Sequence, residues 1–350
     1  MEMQRGWPKV DINKVKNLAQ RFQKVLILLG LIILLSILQP GVFLTAGNFK
    51  SIFLAIAIYG VMVCGTIYPI LLGGIDLAVG GTAAAASAAT VVIIVGSGFS
   101  DQGVILGLVV GLTSGITIGV FHGLVVSSFK VPPFLITLAS QNIVYGIAQI
   151  LTKNKVVNIL GPKSFAFIGG GRIFGVAFSI YILAFCAIVS YFLLNHTKFG
   201  RDVYAVGGNK TAAELSGIST RKITIIAYAI SGFTAALAGI VLASWNTQAI
   251  AKAAQGYEND VLAAIVMGGT SLMGGEGSIQ GAMLGALLMG IINNGLRLMG
   301  VPSIYHSAVK GFVIIFAVAL DCYSRYKNSG LVRRFSFRGA ALKTEIKNTA

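Results

Sequence analysis

The sequence predicts an all-α integral membrane protein of about ten transmembrane helices, interrupted by Gly-rich broken helices, with both termini cytoplasmic. Three observations carry that prediction. Only 11% of the 350 residues are charged while 55% are hydrophobic, where a soluble domain carries about 25% charged residues. Apolar runs of about 20 residues, the length that crosses a bilayer, recur throughout, and the alternation of a barrel is missing. The net charge of +16 is concentrated in three polar segments, which reads as a positive-inside bias and not as a nucleic-acid surface. No nucleic-acid partner is expected.

Residues 1–24 read as a cytoplasmic amphipathic segment. Ile12, Val15, Leu18 and Phe22 share one helical face, with Lys14, Lys16 and Arg21 elsewhere, a pattern suited to lying on membrane lipid. No small-residue cleavage motif follows close behind the first apolar run, so a cleavable signal is not expected. The membrane-spanning core is placed at 25–324. Its expected crossings are 25–45, 51–72, 77–98, 103–127, 132–151, 173–194, 223–245, 258–274, 278–297 and 307–324. An even count puts both ends on one side. Six Lys/Arg in the first segment and seven after Leu320 make that side cytoplasmic, leaving 325–350 as a basic cytoplasmic tail. The 195–222 loop, with five Lys/Arg, then falls on the same side. The 152–172 loop, external by this count, disagrees through Lys153, Lys155, Lys163 and Arg172.

Within the spans, Gly107, Gly111, Gly115, Gly119 and Gly123 form a stripe at four-residue spacing, and Gly277, Gly281 and Gly285 repeat the device. In lipid such stripes let helix backbones approach and gain van der Waals contact. Packing inside the bundle is the favoured role, a dimer seam the alternative. Two further glycine clusters, GGIDLAVGG at 73–81 and GGTSLMGGEGS at 268–278, share the pattern G-G-x-x-L-x-x-G. They suggest an internal duplication with broken or re-entrant helices, which in transporters expose backbone dipoles to a solute cavity.

The stretch Asn195–Lys222 is the longest polar segment between two apolar ones. A short helix is expected inside it. Thr211 with Glu214 reads as a capping box, Asn209 is an alternative cap, and Gly217 supplies the left-handed stop. Such a short helix needs a surface to lean on.

Among candidate path residues, Asp76 is the sole ionisable side chain between Lys50 and Asp101. It either faces a solute path or caps a helix beginning at Leu77, and its place before an apolar run near the cytoplasmic side favours the cap. Gln141, Asn142, Asn293 and Asn294 could hydrogen-bond sugar-like hydroxyls or pair across helices, the second being favoured. His122 and Arg297 are placed at span ends, and Glu258, Asp260 and Glu276 are read as snorkelling or loop charges. Cys64, Cys186 and Cys322 lie in apolar surroundings without metal spacing. No catalytic residue and no metal site is indicated: there is no P-loop, HExxH, GxSxG triad or Cys/His cluster. A chain of intramembrane carboxylates is missing as well. The result is a pathway without an evident energy source.

Four blocks resemble the permease subunits of bacterial ribose/xylose/arabinose-type ABC importers. They are GGIDLAVGG, KVPPFLITLAS (130–140), KFGRDVYAVGGNKTAAELSGI (198–218) and VLAAIVMGGTSLMGGEGSIQGAMLGALLMG (261–290). The resemblance covers roughly 50–320. It implies a multi-pass permease in the bacterial cytoplasmic (inner) membrane, paired with a second copy or a paralogue. It also implies an external sugar-binding protein, periplasmic or lipid-anchored, and a separate ABC ATPase that carries ATP and Mg. No cofactor is expected on this chain. The loop that docks on the ATPase maps onto Gly200, Arg201, Ala205, Gly207, Gly208, Asn209, Ala212, Ala213, Glu214, Ser216, Gly217 and Ile218. Ala212 and Ala213 would give its short helix a small face for a groove of the ATPase. Ala78 and the pair Ala139–Ser140 depart from the family's pattern and weaken any transfer of substrate identity. The competing functions are a branched-chain amino-acid-type ABC permease and a self-sufficient carrier or channel.

Overall fold

The computed structural model describes residues 12–129, 131–302, 304–312 and 315, with side chains from Val25 onward. Among them, seven helices are long and apolar enough to cross a membrane. These are α2 (Ala46–Leu71), α3 (Val79–Gly96), α4 (Asp101–Phe129), α5 (Pro133–Leu151), α7 (Phe178–His196), α10 (Thr220–Asn246) and α12 (Ile279–Leu298). The short elements are α6 (Lys163–Gly170), α8 (Lys198–Gly208), α9 (Lys210–Leu215) and α11 (Tyr257–Met267), with two-residue strands β1 (Val157–Asn158), β2 (Arg172–Ile173), β3 (Val176–Ala177) and β4 (Gln248–Ala249).

Two expected crossings differ, and a third falls largely outside the described residues. The first is part of one continuous helix, α1 (Ile12–Leu38), whose apolar part is Val25–Leu38. The helix runs through residue 24 without a break, and Thr45 caps the next one by accepting from the Asn48 N–H. The eighth, 258–274, is only the 11-residue α11. At 1.5 Å per residue it covers about 16 Å of a core about 30 Å thick, so it is a half-helix. Its glycine-rich continuation carries no charge before Glu276 but abandons helical backbone. The tenth, 307–324, lies mostly outside the described residues, as do Cys322 and the tail. In addition, 173–177 is not helical. It completes a β2–β3 hairpin whose turn holds Phe174 and Gly175 at φ 50° and 79°.

The centre of the bundle is α2, whose most apolar stretch is 94% buried, against 22% for α5 and α7. It packs on α7, α10, α11 and α12, while α10 packs on α2, α3 and α4. The glycine stripe of α4 is what allows the closest of these contacts. A Cβ at Gly115 would collide with the Gly232 carbonyl and Ala236, at Gly119 with the Tyr228 carbonyl, and at Gly123 with the Ile225 backbone, all on α10. Gly107 and Gly111 meet Thr90 of α3 in the same way. Gly281 and Gly285 bring α12 onto the backbone of Gly268 and Ala264 at the end of α11.

At the bundle end away from α8, the 152–177 loop is folded. β1 pairs antiparallel with β4, and α6 rests on α10 where the Gly169 N–H donates to Ser244 Oγ at 2.7 Å.

Candidate functional site: the α8–α9 unit and the two glycine breaks

The polar loop folds into two helices sharing one residue. Thr197 opens α8 by accepting from the Gly200 N–H at 3.2 Å. Gly200 is required there, because a Cβ would strike the carbonyls of Leu193 and Leu194 where α7 turns into α8. Asn209 then ends α8 and caps α9, its Oδ1 accepting from the Ala212 N–H at 3.0 Å. Asn209 and not Thr211 is therefore the cap, and Glu214 does not close a capping box. Its carboxylate instead accepts from Thr220 Oγ1 at 2.7 Å, tying α9 to the first turn of α10. The stop follows the Schellman pattern: Gly217, at φ 81°, donates to the Glu214 carbonyl and Ile218 to that of Ala213.

The surface on which this unit leans is made by the end of α2 and the second glycine break. The Gly275 N–H donates to the Leu71 carbonyl at 2.8 Å, joining the second break to the end of α2. Gly207 lies against both, since a Cβ there would collide with the Leu71 carbonyl and stand 2.6 Å from the Gly275 nitrogen. Tyr204 Oη donates to the Gly277 carbonyl at 2.9 Å. Val203, Val206 and Ala213 are buried in the same core cluster as Tyr68, Leu71 and Ile223. Ala213 thus faces inward, holding α9 on its own bundle. The outward side of α9 consists of Lys210, Thr211, Ala212, Glu214 and Leu215, with Leu215 87% exposed. Arg201, Ala205, Gly208 and Ser216 are exposed beside it. The helix α8 escaped the sequence reading because three charged residues and three glycines interrupt its apolar positions. Thr197 before Phe199, Val203 and Val206, a cap followed by apolar residues four and three apart, was the available signal.

Both breaks begin alike. Gly73 (φ 76°) and Gly269 (φ 85°) end α2 and α11. In each case the glycine and its successor donate back to the helix, Gly73 and Gly74 to Ile70 and Pro69, Gly269 and Thr270 to Val266 and Ile265. The first break then runs unwound into the bundle, where its backbone and Asp76 find partners. Thr137 Oγ1 donates to the Ile75 carbonyl at 3.0 Å. Asp76, 4% exposed, accepts from the Ala78 N–H at 3.1 Å and from Ser231 Oγ at 2.7 Å. His122 Nδ1 lies 4.0 Å away, and His122 Nε2 is 2.6 Å from Ser140 Oγ.

Ser231 is eleven residues into α10, about 16 Å from its start, and His122 about 10 Å from the end of α4. Asp76 is accordingly a deep tie between four segments and not the cap of α3, whose N-cap is Ala78 without a side-chain bond. His122 is likewise interior, because α4 continues two turns past it.

The other path candidates are dispersed. Asn294 Nδ2 donates to Asn48 Oδ1 at 2.7 Å, and Asn293 Nδ2 to Asp260 Oδ2 at 3.3 Å. Asp260 is also paired with Lys310 at 2.8 Å. Glu258 and Asp260 are buried in the first turn of α11, not at a membrane edge, because the half-helix starts within the fold. Gln141 is half-buried, and Asn142 is exposed and donates to the Leu138 carbonyl of its own helix. Cys64 and Cys186 are buried. No group of three metal-ligating side chains occurs among the described residues.

The chain belongs to the family described as "Branched-chain amino acid transport system / permease component", which it matches over residues 48–318. It is similar to the ribose import permease protein RbsC of Bacillus subtilis (strain 168), 39% identical over 292 residues that cover 83% of this chain and 89% of that one. To RbsC of Escherichia coli (strain K12) the identity is 38%, covering 85% and 93%. To the L-arabinose transport system permease protein AraH of Escherichia coli (strain K12) it is 35%, covering 81% and 85%. No solved structure matches. The chain is a multi-pass membrane permease of a bacterial ABC importer, a transport component and not an enzyme.

Proposed function

We propose that this permease carries an aldopentose across the bacterial cytoplasmic membrane and that a separate ATPase drives it through α9. The relatives named above are named for ribose and L-arabinose, both aldopentoses, and this favours a sugar over the branched-chain amino acids of the family description. The observation that carries the mechanism is the seat of α8. Gly207 and Tyr204 hold it against the end of α2 and the second glycine break, at Leu71, Gly275 and Gly277. A rigid push on the exposed side of α9 therefore reaches the ends of α2 and α11 and the first residues of α10 and α12 together. Coupled elements of this kind move as bodies with discrete positions.

In this reading the α8–α9 face and both termini are cytoplasmic, ATP and Mg sit on the ATPase, and an external binding protein delivers the sugar. The interior of one chain is filled by α2, and Asp76, Asn293 and Asn294 are engaged in hydrogen bonds between segments. The sugar path therefore lies between this chain and a second copy. The outward face of α5, which carries Asn142 with Leu138 and Ile143 exposed, is the proposed wall.

The test is uptake of labelled ribose and L-arabinose into vesicles containing this chain, its ATPase and its binding protein. Uptake that needs all three and ATP is expected. Uptake by this chain alone, or ATP-driven uptake of leucine that neither pentose reduces, would overturn the proposal.

A further inference from the structure

The mechanism above makes no use of a cleft between α8, the residues leaving α9 and the first turns of α10. It encloses about 470 Å³, within the size range of small-molecule sites. Lys198, Phe199, Asp202, Lys222, Ile223 and Ile226 line it, and the stretch 216–219 closes one side. Its two ends differ in character. Ile223 and Ile226 belong to α10, which is long and apolar enough to span a membrane, and Ile226 is 44% exposed. That wall continues along α10 toward its membrane-spanning stretch. Lys198 and Lys222 stand exposed at the ends of α8 and α10. Among the described residues, neither lysine nor Asp202 is in an ion pair.

An apolar wall running into the membrane under two unpaired ammonium groups fits a phospholipid, with phosphate at the lysines and acyl chain along the isoleucines. Asp202, half-buried in the same cleft, selects the headgroup. A headgroup with only negative charge would press its phosphate against this carboxylate. One that carries a primary ammonium beside its phosphate gives every charge in the cleft a partner of opposite sign.

We propose that this cleft binds an amine-bearing phospholipid of the phosphatidylethanolamine type. Its phosphate lies between Lys198 and Lys222, its ammonium at Asp202, and an acyl chain along Ile223 and Ile226. The lipid joins α8 to α10 at the junction through which α9 acts. The proposal rests on the membrane assignment and is independent of the cargo.

The test is native mass spectrometry on the full-length chain purified with its ATPase and stripped of lipid. The complex is titrated with phosphatidylethanolamine, phosphatidylglycerol and soluble phosphoethanolamine. One phosphatidylethanolamine per permease is expected to outlast phosphatidylglycerol during activation, with soluble phosphoethanolamine binding far more weakly. Lys198→Gln with Lys222→Gln should weaken its binding about thirtyfold. Asp202→Asn should erase the preference between the two lipids while binding persists, and Ile226→Ser should weaken the lipid but not the soluble headgroup. Where the double variant fails to fold by gel filtration, Lys222→Gln alone carries the charge comparison. Equal retention by the charge variants, or soluble phosphoethanolamine binding as tightly as the lipid, would overturn the site. Loss of the ATPase with lipid retained would assign the cleft to the ATPase instead.

Discussion

At the scale of single residues, Asp76 does the most to hold the unwound segment inside the bundle. Its carboxylate is shared by the Ala78 N–H and the Ser231 hydroxyl, with His122 at 4.0 Å. A buried donor left without its acceptor costs roughly 1–3 kcal/mol. Asp76→Leu strands two donors, so it is expected to lower the melting temperature in detergent below that of Ser231→Ala, which takes one hydrogen bond from a buried carboxylate at roughly 1.5–3 kcal/mol. Equal melting temperatures would mean that the cluster does not hold the segment. The sequence marked Asp76 as unusual, since charge inside apolar surroundings is costly. It also suggested a cap, because an Asp before an apolar run looks the same in one dimension whether or not it is buried. Ser140, Ser231 and His122 are far away along the chain, and none has a feature that would pair it with Asp76 before folding.

At the scale of elements, close helix packing depends on where a side chain is missing. Gly115→Leu is expected to force α4 away from α10, costing about 1–3 kcal/mol or more, and to reduce the yield of monodisperse protein. Gly146→Leu on α5 is the control, because nothing lies within 4 Å of its added Cβ. Equal behaviour of the two would show the stripe to be loosely packed. Gly207→Val is expected to lift α8 from Leu71 and Gly275, leaving the chain inserted but severing ATP hydrolysis from uptake. Undiminished coupling in that variant would count against the seat. The α4 stripe was legible because its four-residue spacing is local. The end of α11 was legible only as the glycine cluster at 268–278, because that cluster carries no charge before Glu276 and the expected crossing ran on to 274, although Gly269 at φ 85° ends the helix.

At the scale of the whole molecule, the proposed drive through α9 requires that force enter at one exposed surface. On α9 that surface includes Leu215, while Ala213 is 4% exposed and faces the core. Leu215→Glu is expected to weaken ATPase association severalfold in a correctly folded permease, whereas Ala213→Arg should impair folding itself. Co-purification together with gel filtration separates the two, and intact ATPase binding by Leu215→Glu would move the docking face elsewhere. Orientation has its own test. Asn209→Cys, at an exposed junction, should react with a membrane-impermeant maleimide only after the cytoplasmic side is opened. Labelling from outside would place the unit beyond reach of any ATPase.

The sequence by itself determined the membrane class, the order of most spans, the polar segment that stands between them and the family. Each of these is written in contiguous composition or in blocks of adjacent residues, which hydropathy and motif register without knowledge of folding. Only the tertiary structure decided that the second glycine break meets the end of α2 through Leu71 and Gly275 and that α8 is seated on both. It alone turned Ala213 inward and gave Asp76 its partners. Those facts depend on which distant backbones come within hydrogen-bonding range, and in lipid that is settled by the fit of small residues between helices rather than by any pattern along one of them.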